Sequence, residues 1–107
     1  MDTDIAAMAY ALREAATRIR ENALPCARAR RDEVGPGDEA ALLGALAAMV
    51  ENAGELAEAL HDRMTTPDAR AAYRWAGRRL REQAENLRVD ERKVAANAAR
   101  RQASRTP

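Results

Sequence analysis

Chemistry in this 107-residue chain would have to come from very few side chains. Glu58 and His61 stand three apart, which on a helix places a carboxylate and the only imidazole one turn from each other, the ligand spacing of di-iron carboxylate bundles. Such a site needs further inward-facing carboxylates. Glu58 belongs instead to a run of acids, Glu51, Glu55, Glu58 and Asp62, that forms one ridge of a helix, and His61 near the end of that helix reads as a partner for the helix dipole. Cys26 has Arg28 nearby but no base, and it reads as a small packing residue. No Ser/His/Asp set, Gly-rich phosphate loop or paired-Cys motif is present. The expectation is a protein that is not an enzyme and uses no metal and no cofactor.

Charge carries more information than chemistry. Residues 1–67 hold 7 Arg against 12 Asp and Glu, and residues 68–107 hold 11 Arg and Lys against 5 acids, so −5 is followed by +6. An acidic helix should therefore meet a basic one, within one molecule or between molecules. Lys93 is the only lysine among 18 basic residues, a bias that fits GC-rich, bacterial-like coding. A net charge of +1 confines any nucleic-acid reading to a local patch.

Hydrophobic spacing supplies the elements that would carry these stripes. Asp2 or Thr3 caps a first helix burying Ile5, Met8, Leu12, Ala15 and Ile19, with steps of 3 and 4. Pro25 interrupts it, and residues 26–34 are read as a short separate segment rather than a kinked continuation. Gly35-Pro36-Gly37 is the strongest break, followed by Asp38 as a cap. The second helix runs to about Met64 on a seam of Leu42, Leu46, Met49, Ala53, Leu56 and Leu60, with Leu43 and Val50 widening its apolar face. Thr66 caps a third helix that begins at Pro67 and reaches about Arg101, its seam formed by Tyr73, Gly77, Leu80, Ala84, Leu87, Val94 and Ala98. The fold expected is all-α, an antiparallel bundle of three long helices with a possible short helix after Pro25. It forms one domain over residues 1–102 with a basic disordered tail at 103–107. The core is thin, because about a quarter of the chain is Ala and there is no Phe. Gly44, Gly54 and Gly77 inside helical pattern predict close backbone approach.

In an antiparallel hairpin of the last two helices, Arg70 should lie near Asp62 and Arg74 near Glu58. Further along, Arg88, Arg92, Lys93, Arg100 and Arg101 should lie beyond the reach of the second helix, free to meet nucleic acid or an acidic partner. Trp75 is turned well away from the Tyr73 seam and is the best candidate for an interface, together with Tyr73, Leu43 and Val50. Trp75-Ala76-Gly77 resembles the tripeptide of the WXG-type secreted helical hairpins. The resemblance covers three residues and the chain length, and it implies export without a signal peptide. In that family the motif lies in the turn between two helices and is followed by a Tyr-x-x-x-acid signal, whereas here Tyr73 is followed by Gly77.

The function expected is a non-catalytic helical interaction module that self-associates as a homo-oligomer and presents a basic C-terminal helix to a partner. The alternative is a nucleic-acid-binding or nucleoprotein-assembly subunit. The acidic N-terminus carries no secretory pattern, and the run from Ala40 to Val50 is short for a bilayer span, so the expected setting is cytoplasmic, away from membranes.

Overall fold

The computed structural model describes residues 2–29 and 33–105, and every regular element among them is helical, so the chain is all-α. It divides into two units, Met1–Glu33 and Val34–Pro107.

In the first unit, helix α1 (Thr3–Arg18) begins at the expected cap, where the Asp2 carboxylate accepts the backbone N–H of Asp4 at 2.8 Å. Asp4 in its first turn and Arg18 in its last both suit the dipole. The helix then widens into a π turn over Ile19–Ala23 and continues as α2 (Leu24–Arg28). Pro25 therefore does not open a separate segment. An α turn would press its ring against the carbonyl of Glu21, and the wider turn placed immediately before it relieves that crowding. Residues 30–32 of the expected short segment lie outside the described residues.

The second unit is a helical hairpin of α3 (Pro36–His61, 26 residues) and α4 (Pro67–Arg105, 39 residues). Gly35 rather than Asp38 is the N-cap of α3: Pro36 occupies the first helical position, where its missing N–H costs nothing, and Asp38 and Glu39 fall in the first turn. The helix stops at His61, where the N–H groups of Arg63 and Met64 turn back on the carbonyls of Leu60 and His61. Thr66 then caps α4 as expected, its hydroxyl accepting the Ala69 N–H at 3.3 Å. The last helix continues through residues 103–105 to Arg105, while 106–107 lie outside the described residues.

Close approach sets the packing of the pair. A Cβ placed on Gly54 would sit 3.2 Å from Leu80 Cβ and 3.3 Å from the Arg81 backbone nitrogen, and one on Gly77 would sit 2.9 Å from Glu58 Cγ and 3.5 Å from the Gly54 carbonyl. Gly44 lies equally tight against the Glu91 carboxylate. These three approaches share one antiparallel register, which puts His61 opposite Arg74. The residues buried in the hairpin are all small: Ala47, Gly54 and Ala57 on α3, Gly77 and Ala84 on α4.

The buried positions correct one seam and keep the other. On α4 every residue of the expected seam, Tyr73 through Ala98, is buried or half-buried, and Ala69, Ala76, Arg88 and Glu91 are half-buried beside it. On α3 the inner stripe is Leu43, Ala47, Val50, Gly54, Ala57 and His61, one residue later than expected and hence turned by about 100°. Leu42, Leu46 and Met49 of the expected seam are 60, 44 and 44% exposed. Backbone proximity requires small side chains at the closest points between the helices, and Leu42, Leu46 and Met49 are turned out. By length and composition α3 is apolar enough to cross a bilayer, more so than the run from Ala40 to Val50 indicated; that composition also suits a helix with apolar stripes on two sides.

Candidate interaction surfaces

The hairpin has two dissimilar flanks. On one, carboxylates of α3 meet guanidiniums of α4: Glu58 Oε1 lies 2.8 Å from Arg81 Nε, and Glu51 Oε2 lies 3.3 Å from Arg88 Nη2. The expected pairs of Arg70 with Asp62 and Arg74 with Glu58 do not form. The connection of residues 62–66 is not the centre of the pairing, because the first two turns of α4 run past the end of α3, and the arginines that meet the acids come about two turns later. Arg70 Nη1 instead donates to the Met64 carbonyl at 3.1 Å.

Arg88 lies well within the reach of α3. Its guanidinium donates to Glu91 at 3.2 Å, to Glu51 at 3.3 Å and to the Gly44 carbonyl at 3.5 Å, and these hydrogen bonds, with Glu91 first and Glu51 second, hold its pKa above the ordinary arginine value. Glu91, which interrupts the α4 seam in sequence, fills the space left by Gly44 and orients Arg88. Arg88 thus belongs to the hairpin's own ion pairs. Arg92, Lys93 and Arg101 are exposed and make no ion pair among the described residues, and Arg100 donates to the Asn97 side chain at 3.0 Å. The end of α4 does not stand clear of its partner either, since Arg101 and Arg105 share a shallow cleft with Pro36 and Gly37 of α3.

The opposite flank carries the outward stripe of Leu42, Leu46 and Met49, continued by half-buried Ala53, Leu56 and Leu60. Of the residues expected at an interface, Leu43, Val50 and Tyr73 are half-buried on the inner seams, and Trp75 is exposed. Trp75 stands on the face of α4 turned away from α3, with the Arg78 and Arg79 guanidiniums 5.7 and 5.6 Å from its ring centroid. Trp75-Ala76-Gly77 lies within α4, and Gly77 is the close contact to α3 rather than a turn residue.

Glu58 and His61 are not assembled as ligands. Glu58 is engaged by Arg81, and His61 Nδ1 lies 3.2 Å from the Asp62 carboxylate while its Nε2 is buried without a hydrogen-bond partner. Among the described residues no group of three His, Cys, Asp or Glu side chains is placed to hold a metal ion. The sequence reading missed the outward role of the leucine stripe; the signal that could have found it is the heptad of small residues Ala40, Ala47 and Gly54, which marks the closer-packing face. No family model, curated protein or solved structure matches the chain.

Proposed function

We propose that this chain is a non-catalytic helical interaction module that self-associates through the outward stripe of α3 and leaves basic residues of α4 available to a partner. The observation that carries the reading is the exposure of Leu42, Leu46 and Met49 on a hairpin whose buried residues are all Ala or Gly and whose larger inner side chains are only half-buried. Burying a Leu or Met side chain stabilises by ~1.5–3 kcal/mol, more than the small residues between the helices can contribute individually. A second copy laid on this stripe gives a four-helix arrangement in which each hairpin supplies the large apolar side chains the other lacks. Of the C-terminal basic residues expected to meet a partner, Arg92, Lys93, Arg100 and Arg101 remain available, since Arg88 is held by Glu51 and Glu91. These same groups support the alternative of a nucleic-acid-binding or nucleoprotein-assembly subunit.

A second reading rests on α1, whose Ile5, Met8, Leu12, Ala15 and Ile19 repeat at the same steps, with Leu12 and Ile19 exposed. In it, that stripe covers the α3 stripe within one chain and closes the antiparallel bundle of three long helices. Absolute mass in solution separates the two. Light scattering on a sizing column across a range of concentrations should give a dimer or larger species for self-association, lost in Leu46→Glu at unchanged helicity. A monomer at every concentration would sink self-association and leave the intrachain bundle.

A further inference from the structure

The basic excess of the C-terminal region is not spread along α4. Residues 63–81 hold six Arg and one acid, a net +5, whereas residues 82–107 hold six basic residues and four acids, a net +2. The hairpin register gathers the first group around the turn end: Arg63 and Arg70 lie beyond the last residue of α3, Arg74 is level with His61, and Arg78, Arg79 and Arg81 stand beside its last two turns. Arg81 is taken by Glu58 and Arg70 leans on a carbonyl, but Arg63, Arg74, Arg78 and Arg79 are exposed and meet no carboxylate among the described residues. Glu58 and Asp62, which line a cleft with Arg74 and Arg78, and Asp68 are the acids nearest this end; Glu58 pairs with Arg81, and Asp62 faces His61. The only Trp of the chain, 54% exposed, stands in the middle of these arginines.

We propose that the turn end of the hairpin binds single-stranded nucleic acid, with Trp75 as the stacking platform for a base and Arg74, Arg78 and Arg79 as contacts to the flanking phosphates. Stacking on an exposed indole is tolerant of base identity, and guanidiniums offer paired N–H donors to phosphate oxygens. Arg70, Arg74 and Arg78 recur every fourth residue, ~6 Å apart along the helix, a step that successive phosphates of a stretched strand can follow. The Arg78 and Arg79 guanidiniums already lie over the indole, so a base arriving on the ring displaces one of them towards the adjacent phosphate.

Two features favour a single strand over the other anionic partners. A Trp that anchors a protein interface sits in a desolvated pocket ringed by contacts that exclude water. Trp75 instead stands on a convex helix face among exposed Ala71, Ala72 and arginines, a surface a flexible strand can wrap. A duplex keeps its bases stacked internally and would leave the indole unused. The inference does not depend on self-association, because Trp75 points away from α3 and its outward stripe.

Trp75, as the only Trp, reports directly on the contact. The full chain would be titrated with a short oligothymidylate, following Trp75 fluorescence together with the anisotropy of the labelled strand. Saturable quenching is expected, and with three phosphate contacts at a slope of about −0.7 each, affinity should fall roughly twentyfold between about 50 and 200 mM salt. Replacing all three of Arg74, Arg78 and Arg79 by Glu should weaken binding at least about tenfold, and the milder Arg74→Gln with Arg79→Gln should follow in the same direction at unchanged circular dichroism. Joint replacement of Arg92, Lys93 and Arg101 by Glu should change affinity less than the turn-end variant does. Absence of both quenching and anisotropy change would overturn the proposal. So would a larger loss from the C-terminal variant, binding of duplex as tight as that of the single strand without quenching, or equal binding and quenching by polyglutamate.

Discussion

The two apolar stripes of α3 are one residue apart in sequence and opposite in use. The inner one, centred on Ala47, Gly54 and Ala57, has little area to bury but lets two backbones approach; the outer one has Leu42, Leu46, Met49, Leu56 and Leu60 and leaves the first three open. The difference teaches that in an alanine-rich chain the helix pair is chosen by how near the axes can come rather than by how much side chain is available, because dispersion contacts accumulate only at short range. The large side chains are then free for a second packing event.

Substitutions on the two stripes should fail in different ways. Leu46→Glu combined with Met49→Glu carries the largest expected effect: with ~1.5–3 kcal/mol lost per side chain, the dissociation constant of the assembly should rise at least about a hundredfold, read by light scattering, while helix content stays. On the inner stripe Ala47→Leu, at a position with no exposed surface, should destabilise the hairpin by ~1–3 kcal/mol through overpacking, read as a lower urea midpoint by circular dichroism. If Ala47→Leu were neutral and Leu46→Glu unfolded the chain, the assignment of the stripes would be reversed. Gly77→Ala sharpens the comparison, since the new methyl must displace Glu58 Cγ from 2.9 Å while the helix gains ~1 kcal/mol of propensity; the net change in stability should stay below ~1 kcal/mol. Smallest is Glu58→Gln, which removes a half-exposed ion pair with Arg81 and should cost ~0–1 kcal/mol at low salt, fading as salt rises.

Much of the fold was legible because local signals agreed with one another. Asp2 and Thr66 cap the helices that the hydrophobic spacing also began there, and the α4 seam from Tyr73 to Ala98 is the buried one. The α3 seam is not legible from leucine spacing, because the leucine stripe and the Ala/Gly stripe have the same period and only the second is packed. The ion-pair register is hidden for a related reason: a pairing centred on residues 62–66 requires helices that end level, whereas α4 begins two turns beyond the end of α3. That shift leaves Arg74 and Arg78 without an ion pair, although they share a cleft with Glu58 and Asp62, and gathers unpaired arginines around Trp75. A count of charge over residues 68–107 as a whole could not locate them.

The π turn at Ile19–Ala23 also resets the phase of the first helix. A π turn takes five residues where an α turn takes four, so every side chain after it is rotated back by about 100° relative to an uninterrupted helix. Leu24, which would otherwise have drifted off the stripe of Ile5, Met8, Leu12, Ala15 and Ile19, returns to lie above Ile19, whose carbonyl accepts its N–H. The extra residue acts as a spacer shim: it seats a proline and, in the same step, lengthens the apolar edge by one leucine.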